Sequence, residues 1–237
     1  VNIELSWRSE DGARLPTAIW RAGPGRRMIS SAMVGGGIGP AEWVLNAQVA
    51  GGYARLDPVA HLGELAAACG LAGPGVGMLT AAAVDRLVAR TDDGVEAVAT
   101  VGLRVPTWAA APPGGVDLEL APIRDDGRWP PEETTRMSKP GTINIVVSVP
   151  VAFSDAALVN AMITVTEAKT QALQDAGYQC TGTATDAVCV AVRADGPAEP
   201  FAGPRSPWGA RIARAVHAAV YAGALDYTDQ LRARFGR

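Results

Sequence analysis

The chain reads as an α/β domain in which a mixed β-sheet, or two sheets stacked between helical layers, is covered by helices; an α+β sandwich is the alternative within that description. Three observations carry this. Apolar runs of strand length alternate with longer stretches of helical periodicity along most of the sequence. The 237 residues suit one core, since a chain of this size buries roughly 70–75% of the surface its unfolded form exposes. No internal repeat divides the chain, so residues 1–237 are read as a single domain.

Composition narrows the function classes. With 21 basic against 24 acidic residues, a net charge of −3 and no long run of either sign, the chain offers no footprint for a polyphosphate backbone. Nucleic acid is therefore not expected as a partner. No apolar stretch approaches the length that spans a bilayer, and residues 1–8 lack a basic-then-apolar leader pattern, so the expectation is a cytoplasmic protein with no membrane partner. A homo-oligomer is compatible with all of this. Cys69, Cys180 and Cys189 are odd in number and lack CxxC spacing, which argues against a disulfide framework and a structural zinc site. His61 and His217 each lack a second histidine three or four residues away, so a histidine-rich metal site is excluded.

The elements follow in order. Residues 3–7 and 15–20 alternate or are β-rich, and read as a hairpin or as two edge strands. Residues 28–34 form a strand that runs into the glycine loop at 35–39, and 43–49 give another strand. Asp57 and Pro58 begin a helix: the carboxylate caps free N–H groups and proline suits the first helical position. Leu62, Leu65, Ala66 and Cys69 follow with helical spacing, and Gly70 ends it. Residues 76–81 and 95–101 are buried strands, separated by a short helix around 84–90. Between 104 and 140 the periodicity fails, with seven prolines, Trp108 and Trp129, as in a lid or an irregular insertion. Residues 141–149 are a strand. Ser154 or Asp155 then caps a helix running to about Asp175 with Leu158, Met162, Val165 and Ala172 on its buried stripe. A β-branched strand at 183–192 precedes a long helix from Trp208 that carries Ile212, Val216, Ala219 and Val220 on one face.

Three stretches combine strand or helix ends with oxygen-bearing and charged side chains, the composition of a polar site in a cleft. In GTINI at 141–145, Thr142 and Asn144 alternate with isoleucines and so share one face. They line a pocket, or cap a turn and satisfy buried backbone. In TEAKT at 166–170, Glu167 and Lys169 stand about 200° apart around the helix and do not pair. Glu167 is a general base, or part of an ordinary charged surface. In TGTATDA at 181–187, three alternate threonines lead to Asp186; they cross-link strands, or with the carboxylate bind an amide or activate water. The glycines at 35–39, Gly36 and Gly37 among them, match neither the GxGxxG nor the GxxxxGK[ST] pattern and suit a tight turn or close approach to a ligand. Asn46, Asp57 and Thr80 are isolated polar residues at element ends, and Cys189 lies in an apolar run where packing is its natural role.

Taken with Leu45-Asn46, Asp57-Pro58 and VGMLTA at 76–81, these motifs resemble, in order, the adenosylcobinamide amidohydrolase family over residues 30–222. The resemblance implies hydrolysis of the amide joining the aminopropanol arm to the corrin ring of adenosylcobinamide, giving adenosylcobyric acid for cobalamin salvage. The corrinoid is then the substrate, its cobalt is no protein-bound metal, no cofactor is implied, and a metal requirement is left open. It places Glu167, Lys169, Thr183 and Asp186 as catalytic candidates. Gly36, Gly37, Asn46, Asp57, Thr80, Thr142, Asn144 and Thr185 are the substrate-binding ones. An unactivated amide needs a nucleophile, a stabilised oxyanion and a proton for the departing amine. Glu167 or Asp186 would activate water, Lys169 or Thr183 would stabilise or protonate, and Thr142 with Asn144 would orient the amide, with a threonine nucleophile as the alternative. Ala184 replaces an expected glycine, Pro204 to Pro207 replace a more hydroxyl-rich turn, and the proline-rich segment replaces a short one. Competing functions are a non-catalytic corrinoid- or nucleotide-binding module, and an amidase for another amide.

Overall fold

The computed structural model describes residues 1–115, 117, 120 and 141–234. In chain order the first strands are β1 (Ile3–Glu10), β2 (Ala13–Arg21), β3 (Arg26–Ser30), β4 (Gly37–Pro40) and β5 (Trp43–Gln48), followed by helix α1 (Pro58–Ala68). Then come β6 (Gly75–Thr80), β7 (Val88–Asp92), β8 (Val95–Gly102), β9 (Pro106–Thr107) and β10 (Thr142–Phe153). Helix α2 (Asp155–Asp175) leads to β11 (Gly182–Thr183), β12 (Ala187–Arg193) and β13 (Ala198–Glu199), and α3 (Pro207–Arg234) ends the described chain.

The strands make two main sheets. The smaller runs β1-β2-β5-β6 and the larger β4-β3-β12-β10-β8-β7, with β13 beside the end of β10. The β10–β12, β10–β13 and β5–β6 pairs are parallel; the other neighbours along the two sheets are antiparallel. Alternation along each strand decides what is stacked on what. Trp43, Leu45 and Ala47 of β5 face Leu62, Leu65 and Ala66 of α1. The opposite face, with Trp20, Val44, Val76 and Met78, packs on Met28, Val146, Cys189 and Ala191 of the larger sheet. That sheet turns Ile143, Ile145, Val147, Val188 and Val190 to the other side, where Leu158, Val165 and Ala172 of α2 and Ile212, Val216 and Val220 of α3 cover them. The layers are therefore helix, sheet, sheet, helices, the stacked-sheet form of the expected α/β class.

The glycine run expected as a loop at 35–39 carries β4 from Gly37, paired antiparallel with β3, and four other readings meet a local difference. Residues 3–7 and 15–20 do form a hairpin, but β2 is internal, because it also pairs with β5. Residues 84–90 hold only a 3-10 turn at Val84–Arg86 before β7. Asp93 and Gly94, both at positive φ (40° and 89°), close a two-residue hairpin that pairs β7 with β8, as Asp11 and Gly12 do between β1 and β2. The strand expected at 183–192 is broken by a turn at residues 184–185, leaving β11 and β12 separate. Asp57 occupies the N-cap position of α1, yet its carboxylate makes no capping bond; it is held at 2.9 and 2.8 Å by the guanidinium of Arg55. Ser154 does cap α2, accepting from Ala157 N at 3.1 Å. Of the irregular segment expected at 104–140, residues 121–140 lie outside the described residues.

Gly75 is where the smaller sheet tolerates least. A Cβ there would penetrate the indole ring of Trp43, its β5 partner in register. Gly75→Ala is expected to destabilise the protein by roughly 1–3 kcal/mol through overpacking, read as a lower urea midpoint at unchanged m-value.

Candidate active site

The polar centre forms where β10 and β12 begin. They run parallel with Asn144 opposite Ala187, so the residues just before β12 lie beside the first residues of β10. Asp186 thereby reaches the backbone N–H of Ile143, which donates to Oδ1 at 2.9 Å. Thr183, folded back in β11, donates its backbone N–H to Oδ2 at 3.1 Å. Helix α2 brings in a cation: Lys169 lies on the stripe that buries Val165, Ala168 and Ala172, and its Nζ donates to Asp186 Oδ2 at 2.5 Å. Both side chains are about nine-tenths buried, at 9% and 10% exposure, so each charge is compensated chiefly by the other. Gly182 makes this approach feasible, because any Cβ there would collide with both Lys169 Nζ and Asp186 Oδ2.

The hydroxyl of Thr183 completes the set and has a proton problem of its own. Its Oγ1 stands 2.5 Å from Asp186 Oδ1 and 2.9 Å from the carbonyl oxygen of Gly141. One hydroxyl proton cannot serve both acceptors. With Asp186 ionised, Thr183 donates to Oδ1 and the carboxylate accepts four hydrogen bonds, filling its lone-pair positions. With Asp186 protonated at Oδ1, the acid donates to Thr183 and Thr183 turns its proton to Gly141. The network is thus satisfied in either protonation state by one hydroxyl rotation. Next to it, Thr142 and Thr185 place their Oγ1 atoms 2.7 Å apart, and Thr185 also donates to Gly141 O at 3.0 Å.

Asp186, Thr142 and Thr185 line a cavity of about 410 Å³ between the ends of the two sheets, with Ser31, Met33, Val49, Tyr53, Pro58, Met78 and Thr80 among its other walls. The walls are mostly apolar, and Met33 is 53% exposed at its edge. Tyr53 is tied down from behind: its hydroxyl is 3.0 Å from Nδ1 of the buried His61, whose Nε2 is 3.4 Å from Glu10 Oε1. Burial pushes the Tyr53 phenol above its ordinary range.

The candidates from sequence separate accordingly. Lys169, Thr183, Asp186, Thr142 and Thr185 come together, and Thr80 lines the cavity while its Oγ1 accepts from Ala82 N at 3.0 Å. Glu167 is exposed on α2 and touches none of them, because the helical phase that buries Lys169 turns it outward. Asn144 and Asn46 are joined at 2.8 Å between the sheets; Asn46 also donates to Thr100 at 3.0 Å and Asn144 to Leu79 O at 3.1 Å, which places both in the sheet interface. Asp57 is an exposed partner of Arg55, and Gly36 and Gly37 are exposed outside the cavity walls. The glycine loop instead packs on the protein: Gly77 N donates to Val34 O at 3.1 Å, and Gly35 abuts Gly75. The cavity takes Ser31, Ala32 and Met33 from just before that loop. Sequence reasoning did not single out Ser31, Met33 or Tyr53, since none belongs to a periodic polar face. Complete burial pushes the Cys189 thiol up to about 12, so it is no nucleophile at neutral pH.

An adenosylcobinamide amidohydrolase family model matches residues 3–232. An adenosylcobinamide amidohydrolase of Methanosarcina mazei is 30% identical over 197 residues, which cover 79% of this chain and 85% of that protein. A protein of the same name from Halobacterium salinarum is 36% identical over 125 residues, 52% of each. An uncharacterized protein of Methanocaldococcus jannaschii is 35% identical over 103 residues, 40% of this chain and 38% of its own. With a match spanning nearly every described element, the chain belongs to the adenosylcobinamide amidohydrolase family.

Proposed function

We propose that the Asp186 cleft hydrolyses the amide between the aminopropanol arm and the corrin ring of adenosylcobinamide, releasing adenosylcobyric acid and aminopropanol. The observation that carries this is the buried carboxylate of a residue that lines the cavity, with a hydrogen-bond network that accommodates both its ionised and its protonated form. A general base that must later act as an acid needs that property.

In this mechanism Thr183 first turns its hydroxyl to Gly141 O, which frees one lone pair of Asp186 Oδ1, and a water hydrogen-bonded there attacks the amide carbon and passes its proton to Oδ1. The carbonyl oxygen becomes an oxyanion that the Thr142 hydroxyl stabilises by turning its proton from Thr185 Oγ1 to the oxyanion. Asp186 then returns the proton to the amide nitrogen, the C–N bond breaks, and the products are a carboxylic acid and a free amine. Lys169 does not touch the substrate; it is a positioning residue that fixes the carboxylate and compensates its charge. Thr142 and Thr185 orient the amide, in place of the Thr142–Asn144 pair expected from sequence.

A cavity of 410 Å³ is of the size that holds a drug-sized molecule and is too small to enclose a corrin macrocycle, so only one arm enters while the ring rests on the rim beside Met33. We read the partner as this small corrinoid and no nucleic acid, and the location as cytoplasmic; among the described residues no helix is long and apolar enough to cross a membrane.

The test is incubation of the purified protein with adenosylcobinamide, with and without prior chelator treatment, followed by mass spectrometry. Adenosylcobyric acid and aminopropanol are expected in stoichiometric amounts. Tight binding without either product would instead identify a corrinoid-binding module, and turnover of simple amides alone an amidase of different specificity.

A further inference from the structure

Resting on the amide-hydrolase reading, the structure also indicates which side of the scissile bond is which. The 410 Å³ cavity adjoins a second depression of about 150 Å³, and Gly51, Ala81 and Thr142 line both. An amide held at Thr142 can direct one substituent toward each. Their chemistry differs. The larger side presents Met33, Val49, Pro58, Met78 and Leu79, whereas the smaller brings in the polar side chains of Gln48, Arg104, Tyr227 and Gln230. At 150 Å³ the smaller side is well below the size of an ordinary ligand pocket and admits only a short fragment.

Two glutamines in this depression have orientations fixed by their other partners. Gln48 accepts from the backbone N–H of Val84 through Oε1 at 3.0 Å, so its amide nitrogen is directed elsewhere, and that nitrogen makes no hydrogen bond to the described residues. Gln230 is the reverse: its Nε2 donates to the carboxylate of Asp226 at 2.7 Å, and its Oε1 has no donor among the described residues. Neither amide can be flipped without setting donor against donor or acceptor against acceptor. The two glutamines thus offer one donor and one acceptor, the complement of a hydroxyl group, which both accepts and donates.

We propose that this depression is the leaving-amine subsite, and that Gln48 and Gln230 make it selective for a short amine bearing a hydroxyl group. The carbonyl side of the amide then lies in the apolar cavity, with the macrocycle outside on its rim.

The experiment compares adenosylcobinamide with an analogue whose arm ends in propylamine, lacking only the hydroxyl, in the wild type and in two variants chosen to keep the local structure. Gln48→Glu retains the acceptor for Val84 N and removes the donor; Gln230→Lys retains the donor to Asp226 and removes the acceptor. Wild-type kcat/KM is expected to favour the hydroxylated arm by tenfold to a hundredfold, and each variant to lower that ratio at least fivefold, mainly through KM. Equal kcat/KM for the two amides in the wild type, or an unaltered ratio in both variants, would overturn the subsite while leaving the hydrolase reading intact. A wild type inert toward both amides would instead remove the hydrolase reading and the subsite with it.

Discussion

Asp186→Asn is expected to lower kcat by about three orders of magnitude, within the range lost when an acid–base group is removed. The substitution keeps the shape of the side chain, and the remaining oxygen still accepts from Ile143 N and the Thr183 hydroxyl. It cannot take a proton from water and return it to the amine. Because Asp186 serves both steps, the loss should appear in kcat and in kcat/KM together, with little change in corrinoid affinity. The amide nitrogen of the new side chain points at Lys169 Nζ and Thr183 N, both donors, so a moderate fall in stability accompanies the loss of rate. Circular dichroism at the assay temperature separates the two effects. Glu167→Gln is the matched control: an exposed residue on the far phase of α2 should change the rate by less than twofold. An Asp186→Asn enzyme within tenfold of the wild type would remove Asp186 as the base and return attention to a threonine nucleophile.

The contrast between Glu167 and Asp186 shows where sequence reasoning reached and where it stopped. Helical phase was legible: two residues apart on α2 means opposite sides, and the stripe through Val165 and Ala172 selects Lys169 as the buried member. Which of the two mattered depended on α2 lying against the segment before β12, a tertiary fact with no local signal. Strand alternation likewise placed Thr142 and Asn144 on one face, which the structure bears out. It could not tell that Thr142 stands at the end of its strand beside a cavity while the amide nitrogen of Asn144, one step inward, is consumed by Asn46 and Leu79 O between the sheets. The β-branched run at 183–192 suggested one continuous strand. The turn at residues 184–185 that lets Asp186 fold back on Thr183 needed Gly182 and the approach of Lys169 to be seen together. The Asp93-Gly94 hairpin, by contrast, carries a readable two-residue turn signal, which the reading of 84–90 as a short helix passed over. Gln48 and Gln230 lie 182 positions apart, in β5 and α3, and only the fold makes them neighbours.

Lys169→Met should cost about 3–5 kcal/mol of stability, the loss expected when one member of a buried ion pair is removed and the other stays charged. Three donors remain on Asp186, from Ile143 N, Thr183 N and the Thr183 hydroxyl, which favours the lower end of that range. The informative comparison is the double variant Lys169→Met with Asp186→Asn. Each single change leaves something unbalanced: an uncompensated carboxylate in one, a side-chain amide facing an ammonium in the other. Together they leave neither, so the double variant should be more stable than the sum of the single losses predicts, by about 1–3 kcal/mol of coupling. Urea denaturation of the four proteins measures this directly, and additivity within about 0.5 kcal/mol would mean that the two side chains do not interact in solution. Activity should not follow stability. The double variant regains fold without regaining a group that can carry a proton, so it should remain as inactive as Asp186→Asn. That separation identifies the ion pair as the means by which a buried carboxylate is kept available to the cleft, at a cost in stability that a neutral pair would avoid.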